Sequence, residues 1–340
     1  MRAGKSGFAL IATLWVMTVL GVMAASLAFE AQCESKAGAW SVKSRRTYNL
    51  ARAGVHITAG LVREHALDKT HSLHDKWFSN PARYRQVKFD KGYYSILRHD
   101  SDLSLDKSAH SDLFNEETRN PRYGLDDEES RLNINVLDFY QLCRLPEVSE
   151  ILAADIILYV TEQKDALKKI NYRRRDEGLP EIKDAPELVT LPVRRIAELL
   201  KVKGMTKEML FGTKGMPGGL AQYLTCYSTG KVNINTASPE VFRAIGFNEQ
   251  QVRFFSEYRW GKTDGFASVD EALSMIGIND GYLNNMLSAS SRNFRINCVA
   301  GFSPDKPEER IRARLTVGKN NMRFTMWESE AVAAKSPQEI

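Results

Sequence analysis

Residues 8–29 are a run of 22 positions without one charged side chain. A helix of that length reaches about 30 Å, the thickness of a bilayer's hydrocarbon core. A chain with such a segment must bury it in lipid or against other helices, and this requirement constrains every later reading. Arg2 and Lys5 precede the run, and Glu30 is the first acid after it. Positive charge on the N-terminal side predicts a single pass with a cytoplasmic N-terminus and the remainder outside.

A secretory signal peptide places its small-residue cleavage site after the apolar core. Here the small residues stand before it, at Ser6-Gly7-Phe8. This layout resembles the prepilin-type leaders of type IV pilins and type II secretion pseudopilins; an ordinary signal anchor is the plain alternative. The resemblance implies that a prepilin peptidase removes a leader, 1–7, by cutting between Gly7 and Phe8, and that Phe8 is then N-methylated. Such chains normally carry glutamate at the fifth mature position, where this one has Ala12. A carboxylate near mid-membrane costs roughly 2.5–3.5 kcal/mol. It is tolerable when it pairs with the amino terminus of a subunit above. Ala12 therefore points to a subunit with nothing above it.

At 340 residues the chain is long enough for two folded units beside the membrane helix. A net charge of +5 is too small to imply nucleic acid or anionic lipid by itself. The four cysteines, Cys33, Cys143, Cys226 and Cys298, form no CxxC pair and lack a histidine at zinc spacing. An outward-facing domain permits bridges. Cys143 with Cys226 is one conceivable pair, and Cys298 reads as a buried thiol in an apolar strand.

The apolar spacing continues to about residue 67, with no proline before Pro81, which predicts one long N-terminal helix. Residues 92–97 read as a first strand, and 131–135 as a strand end after the acidic turn Asp126-Asp127-Glu128-Glu129. From 136 to 290 the pattern turns helical, with helices expected at 151–159, 193–202 and 239–245. Residues 294–300, 310–317 and 323–327 alternate as three strands of an antiparallel meander, and 331–340 is a tail. The order is that of an α+β protein with a helical domain inserted.

Two segments match at an offset of 100 residues: Leu132-Asn133-Ile134-Asn135 with Val232-Asn233-Ile234-Asn235. Leu142 and Leu145 align with Phe242 and Ile245. Farther on, 182–188 resembles 266–273, with Asp184 and Asp270 as expected helix caps. The duplication resembles helix-hairpin-helix repeats, a family that often binds DNA backbones. The hairpins are poor in glycine, however, and the first carries Glu147, so a packing scaffold is the better reading.

These features together resemble the type II secretion minor pseudopilin K (GspK) family. The residues that carry the resemblance are Lys5-Ser6-Gly7 before Phe8, Trp15 in the apolar run, the missing fifth-position glutamate and Ala51-Arg52-Ala53-Gly54-Val55. The stretch 127–135, Val232 to Ser238 and Met326-Trp327-Glu328 complete the set. The resemblance implies a pilin-like fold, a long N-terminal helix plus a small antiparallel sheet, with an inserted all-α domain holding two helix-hairpin-helix-like repeats. On this reading the leader is 1–7, the transmembrane helix 8–29 and the pilin-like domain 30–135 and 291–330. The inserted domain is 136–290 and the tail 331–340. It also implies a tip subunit that starts and caps a pseudopilus with I- and J-type partners on an inner-membrane assembly platform. The soluble part would be periplasmic. The alternative is a minor pilin of a type IV pilus or competence system that binds DNA or a surface through its helical domain.

No GxSxG or HExxH motif and no paired nucleophile and base suggest catalysis. His71, His74 and Asp75 read as a solvated loop or a weak metal site. The resemblance implies calcium, whose hard oxygen ligands Asp126, Asp127, Glu128 and Glu129 can supply. The other readings of the same four are a solvated acidic loop and a helix cap.

Overall fold

One unbroken helix, α1 (Lys5–His65), carries the chain from the basic leader onto the first folded layer. The structure is a computed structural model, and it describes residues 5–65, 70–98, 123–160, 166–176, 178, 180–181, 192–213, 218–261, 265–318 and 321–332. Residues 99–122, 182–188 with Asp184, 214–217 and 333–340 lie outside the described residues. Along its first half α1 exposes Phe8, Leu10, Ile11, Leu14, Trp15, Leu20 and Phe29. Its second half turns one stripe inward: Thr47, Leu50, Ala51, Val55, Thr58, Ala59 and Val62 are buried at helical spacing. The two buried threonines donate back to Lys43 O (2.8 Å) and Gly54 O (2.8 Å), so no hydroxyl is left without a partner.

That stripe lies on an antiparallel sheet. After α2 (Pro81–Tyr84), which Asn80 caps, come β1 (Val87–Phe89), β2 (Gly92–Leu97) and β3 (Asp126–Asp127). Then follow β4 (Leu132–Asn133), α3 (Phe139–Cys143), α4 (Glu150–Val160) and α5 (Ala166–Asp176). After these stand α6 (Lys207–Phe211), β5 (Leu224–Thr225), β6 (Val232–Asn233) and α7 (Pro239–Ile245). The block closes with α8 (Glu249–Gly261), α9 (Val269–Met275), α10 (Gly281–Met286) and β7 (Leu287–Ser288). The chain then returns to the sheet as β8 (Asn293–Gly301), β9 (Glu309–Val317) and β10 (Met322–Ala331). The strand order is β1-β2-β8-β9-β10, with β3 also on β8.

Register fixes which side chains meet α1. The pairs Tyr94↔Ala300, Ile96↔Cys298 and Cys298↔Ile311 place one apolar row beneath the helix. The opposite face carries Arg295, Asn297, Arg310, Arg312 and Arg314. At the crossing point Gly54 lets helix and sheet close up: a Cβ there would lie 2.7 Å from the Tyr94 ring and 2.8 Å from Cys298 Sγ. The apolar interior comes in two clusters. One joins α1, Trp77, Tyr84 and the sheet, and the other runs through the helical block from Leu132 to Ala289.

The three C-terminal strands lie where alternation placed them, as do the helices over 151–159 and 239–245; the strand expected first, over 92–97, is present but is preceded by β1. The helix expected over 193–202 is instead a 3₁₀ turn, Ile196–Lys201. Arg195 is in extended backbone (φ −136°, ψ 133°), so the helical turn begins only at Ile196. The strand expected over 131–135 stops at Asn133, because Asn135 N donates to the Asn133 side chain and turns the backbone.

Candidate functional site

The duplication at a 100-residue offset is a duplication of geometry. In each copy the first asparagine's Oδ1 accepts from the backbone N–H two residues on, at 3.0 Å from Asn135 and 2.9 Å from Asn235. The second asparagine clamps a distant backbone with both ends of its amide. Asn135 accepts from Val193 N at 2.8 Å and donates to Val193 O at 3.0 Å. Asn235 does the same with Phe266 at 2.7 and 3.1 Å. Each copy then caps a short helix, with Asp138 on α3 and Ser238 on α7. Each also pairs its first strand with a later one in parallel: β4 with β5, and β6 with β7. The structural partner of Phe266 is therefore Val193, not Ile182 as the sequence match suggested. On α9 the cap is Ser268, whose hydroxyl accepts from Glu271 N at 3.1 Å; Asp270, one residue inside the helix, accepts from Asn284.

The two hairpins face one another. Glu147 holds a positive φ of 61° in the first, and its carboxylate is solvent-exposed. Gly246 in the second has a φ of 120°, and Arg144 from the first donates to Ala244 O at 3.4 Å. The backbone of one hairpin is thus covered by a side chain of the other.

The acidic turn is where sheet and helical block meet, and it is not solvated: Asp126, Asp127, Glu128 and Glu129 are 1–4 % exposed. Asp127 caps the tight turn through Oδ1, which accepts from Glu129 N at 2.8 Å. Its Oδ2 accepts from the hydroxyls of Ser291 and Thr236, each at 2.6 Å, and from Asn233 Nδ2 at 3.3 Å. Glu128 points the other way, onto the sheet's arginine face. Its Oε1 lies 3.0 Å from Arg295 Nε and 3.2 Å from Arg314 Nε, and its Oε2 accepts from the Thr225 hydroxyl. Arg131 lies 4.0 Å from Glu128 and 3.8 Å from Asp126. Glu129 accepts from Asn293 N (3.0 Å), Asn293 Nδ2 (2.8 Å), Arg292 N (3.4 Å) and Thr229 N (3.3 Å). Arg314 stacks 3.4 Å over the Tyr227 ring, closing the charged face against the helical block.

These surroundings drive the acids apart electrostatically. Burial, the largest influence on Glu128, pushes its carboxyl up, but Arg295, Arg314 and Thr225 outweigh it and hold the group below the usual range. On Glu129, burial followed by the neighbouring Asp127 charge outweighs the Asn293 and Thr229 donors and pushes the carboxyl up to about 8. Burial raises Asp127 as well, against the hydroxyls that favour its ionised form.

The four acids expected to hold calcium lie among protein donors. Both oxygens of Asp127, Glu128 and Glu129 accept from protein donors, and Glu128 lies beside Arg295 and Arg314. Among the described residues no group of three or more His, Cys, Asp or Glu is arranged to hold a metal ion. The solvated-loop reading fails, whereas the cap reading holds for Asp127.

His71 is buried rather than solvated: its Nδ1 accepts from Ser291 N at 2.8 Å, and its Nε2 lies 3.1 Å from His65 O. His74 turns to Arg259 O, and Asp75 accepts from Ser72 N and Trp77 Nε1, so the three do not converge. All four cysteines are free thiols; Cys143 and Cys226 do not pair, and Cys298 is buried. Gly7, Phe8 and Ala12 lie in the first turns of α1, the one described helix long and apolar enough to cross a membrane. Sequence reasoning passed over Arg295, Arg314, Thr236 and Ser291. An arginine in each of two alternating strands was the available signal for a charged sheet face.

No protein-family model matches the chain, and no curated protein matches it in sequence. Its fold is similar to that of a chain in the crystal structure of the GspK-GspI-GspJ complex from the enterotoxigenic Escherichia coli type 2 secretion system. The TM-score is 0.57 at 13% identity, over 86% of this chain and 99% of that chain. The chain is thus GspK-like in fold: α+β, with a long N-terminal helix, an antiparallel sheet and further helices.

Proposed function

We propose that the chain is a minor pseudopilin of a type II secretion system, a tip subunit that starts and caps the pseudopilus. The observation that carries this reading is the likeness of fold to a protein that assembles as GspK-GspI-GspJ, over nearly the whole of both chains. The sequence supports it independently through the residues before and within α1.

On this reading a prepilin peptidase cuts between Gly7 and Phe8, and Phe8 is methylated. Residues 8–29 stay in the inner membrane with the N-terminus cytoplasmic and the folded part periplasmic. Leu10, Ile11, Leu14 and Val19, all exposed, face lipid or the helices of I- and J-type minor pseudopilins on the assembly platform. Ala12 leaves no unpaired carboxylate at mid-membrane, as suits a subunit with none above it. The block 136–290 acts as an inserted all-α domain of two helix-hairpin-helix-like repeats, and 30–135 with 291–330 as the pilin-like domain. The work is mechanical, with no catalysis and no nucleic acid. Co-expression of the full chain with I- and J-type minor pseudopilins, followed by detergent extraction and affinity capture, tests the proposal. Retention of both partners is expected, and recovery of the chain without either overturns it.

A further inference from the structure

We propose that Arg131, Arg295 and Arg314 supply from within the chain the positive charge that a divalent cation would bring to the acidic turn, so that sheet and helical block join without calcium. Calcium takes about six to eight oxygen ligands at roughly 2.3–2.6 Å, each with a free lone pair directed at the ion. The joint offers the reverse arrangement. The hydroxyls of Thr225, Thr236 and Ser291 direct protons at carboxylates. The space beside Glu128 Oε1 is filled by two guanidiniums, at 3.0 and 3.2 Å.

Those guanidiniums are not free to move aside. Arg295 and Arg314 are register partners on β8 and β9, and Asp126 pairs with Arg295 from β3, so three strands hold acids and bases in one layer. Arg314 is also held against Tyr227. The remaining pair, Asp127 and Glu129, meets only N–H and O–H donors, from Thr229, Asn233, Thr236, Ser291, Arg292 and Asn293. Both oxygens of each of these carboxyls are thus taken up by protein donors, and none is left directed at an ion. The inference holds whichever filament the chain joins.

The test uses the full chain in detergent micelles, stripped with EDTA, with calcium chloride as the only probe. Thermal unfolding is followed by tryptophan fluorescence in EDTA and in millimolar calcium. The midpoints are expected to agree within about 1 °C, whereas a cation held at a hundred times its Kd would raise the midpoint by roughly 5 °C or more. Such a rise, or a saturable calorimetric isotherm that Asp127→Asn removes, overturns the proposal. Arg314→Gln is expected to melt lower than the parent in EDTA, and a variant as stable as the parent also overturns it. Should Arg314→Gln fail to fold, the calcium arms on the unaltered chain decide alone.

Discussion

The two asparagine turns share a backbone, a cap and a clamp, yet they sit in different surroundings. In the first, the Asn133 amide donates to Ser228 O at 2.9 Å, within the helical block. In the second, the Asn233 amide reaches His71 O (3.2 Å), Asp127 Oδ2 (3.3 Å) and Ser291 Oγ (2.7 Å), so the same device fastens the block to the sheet. Asn233 and Asn235 are fully buried, whereas Asn133 is 8 % exposed and Asn135 half-buried. A local motif thus sets the turn, and its neighbours set how much depends on it.

The largest effect is expected where the second turn meets the charged layer. Glu128→Gln removes the buried anion between the partly buried Arg295 and Arg314, and breaking a fully buried pair costs about 3–5 kcal/mol, an upper bound here. Denaturant unfolding of the full chain in detergent would read this as a lowered midpoint. Next come the asparagines themselves. Asn233→Ala strands several fully buried polar groups at about 1–3 kcal/mol each, whereas Asn133→Ala removes two part-buried hydrogen bonds, to Ser228 O and from Asn135 N, worth about 1 kcal/mol each. Equal midpoint shifts for the two variants would break the comparison. Gly54→Ala stands outside both turns and tests the other core: overpacking against Tyr94 and Cys298 is expected to cost about 1–3 kcal/mol.

The smallest effect is a pH dependence at the joint. Glu129 is raised to about 8 in the folded state, so folding takes up a proton between the ordinary carboxylate range and that value. Its contribution is fully present below the unfolded pKa and is lost as pH rises through about 8. The folded pKa of Glu128 is lowered, so its contribution is lost only on acidification. Unfolding midpoints compared at pH 6 and pH 8.5 should therefore be lower at the alkaline value, and a midpoint that rises with pH would contradict the assignment.

Much of the fold was legible because it rests on short-range pattern. The charge-free run, the apolar spacing of the long helix and the alternating C-terminal strands each declare their partner by spacing alone. The acidic turn was not legible. Its neutralising arginines lie 167 and 186 residues away along the chain, and four consecutive acids look solvated when only local neighbours are counted. His71 misled in the same way, since its partner Ser291 is 220 residues distant. The repeat was readable at its asparagines. It was misaligned farther on because the two copies have spacers of different length between clamp and clamped residue, 58 residues from Asn135 to Val193 and 31 from Asn235 to Phe266.

The most direct test of the functional account is the intact mass of the full chain after co-expression with a prepilin peptidase. A mature protein beginning at Phe8, with or without one added methyl group, is the predicted result. A chain still beginning at Met1, or one cut beyond Phe29, would contradict it.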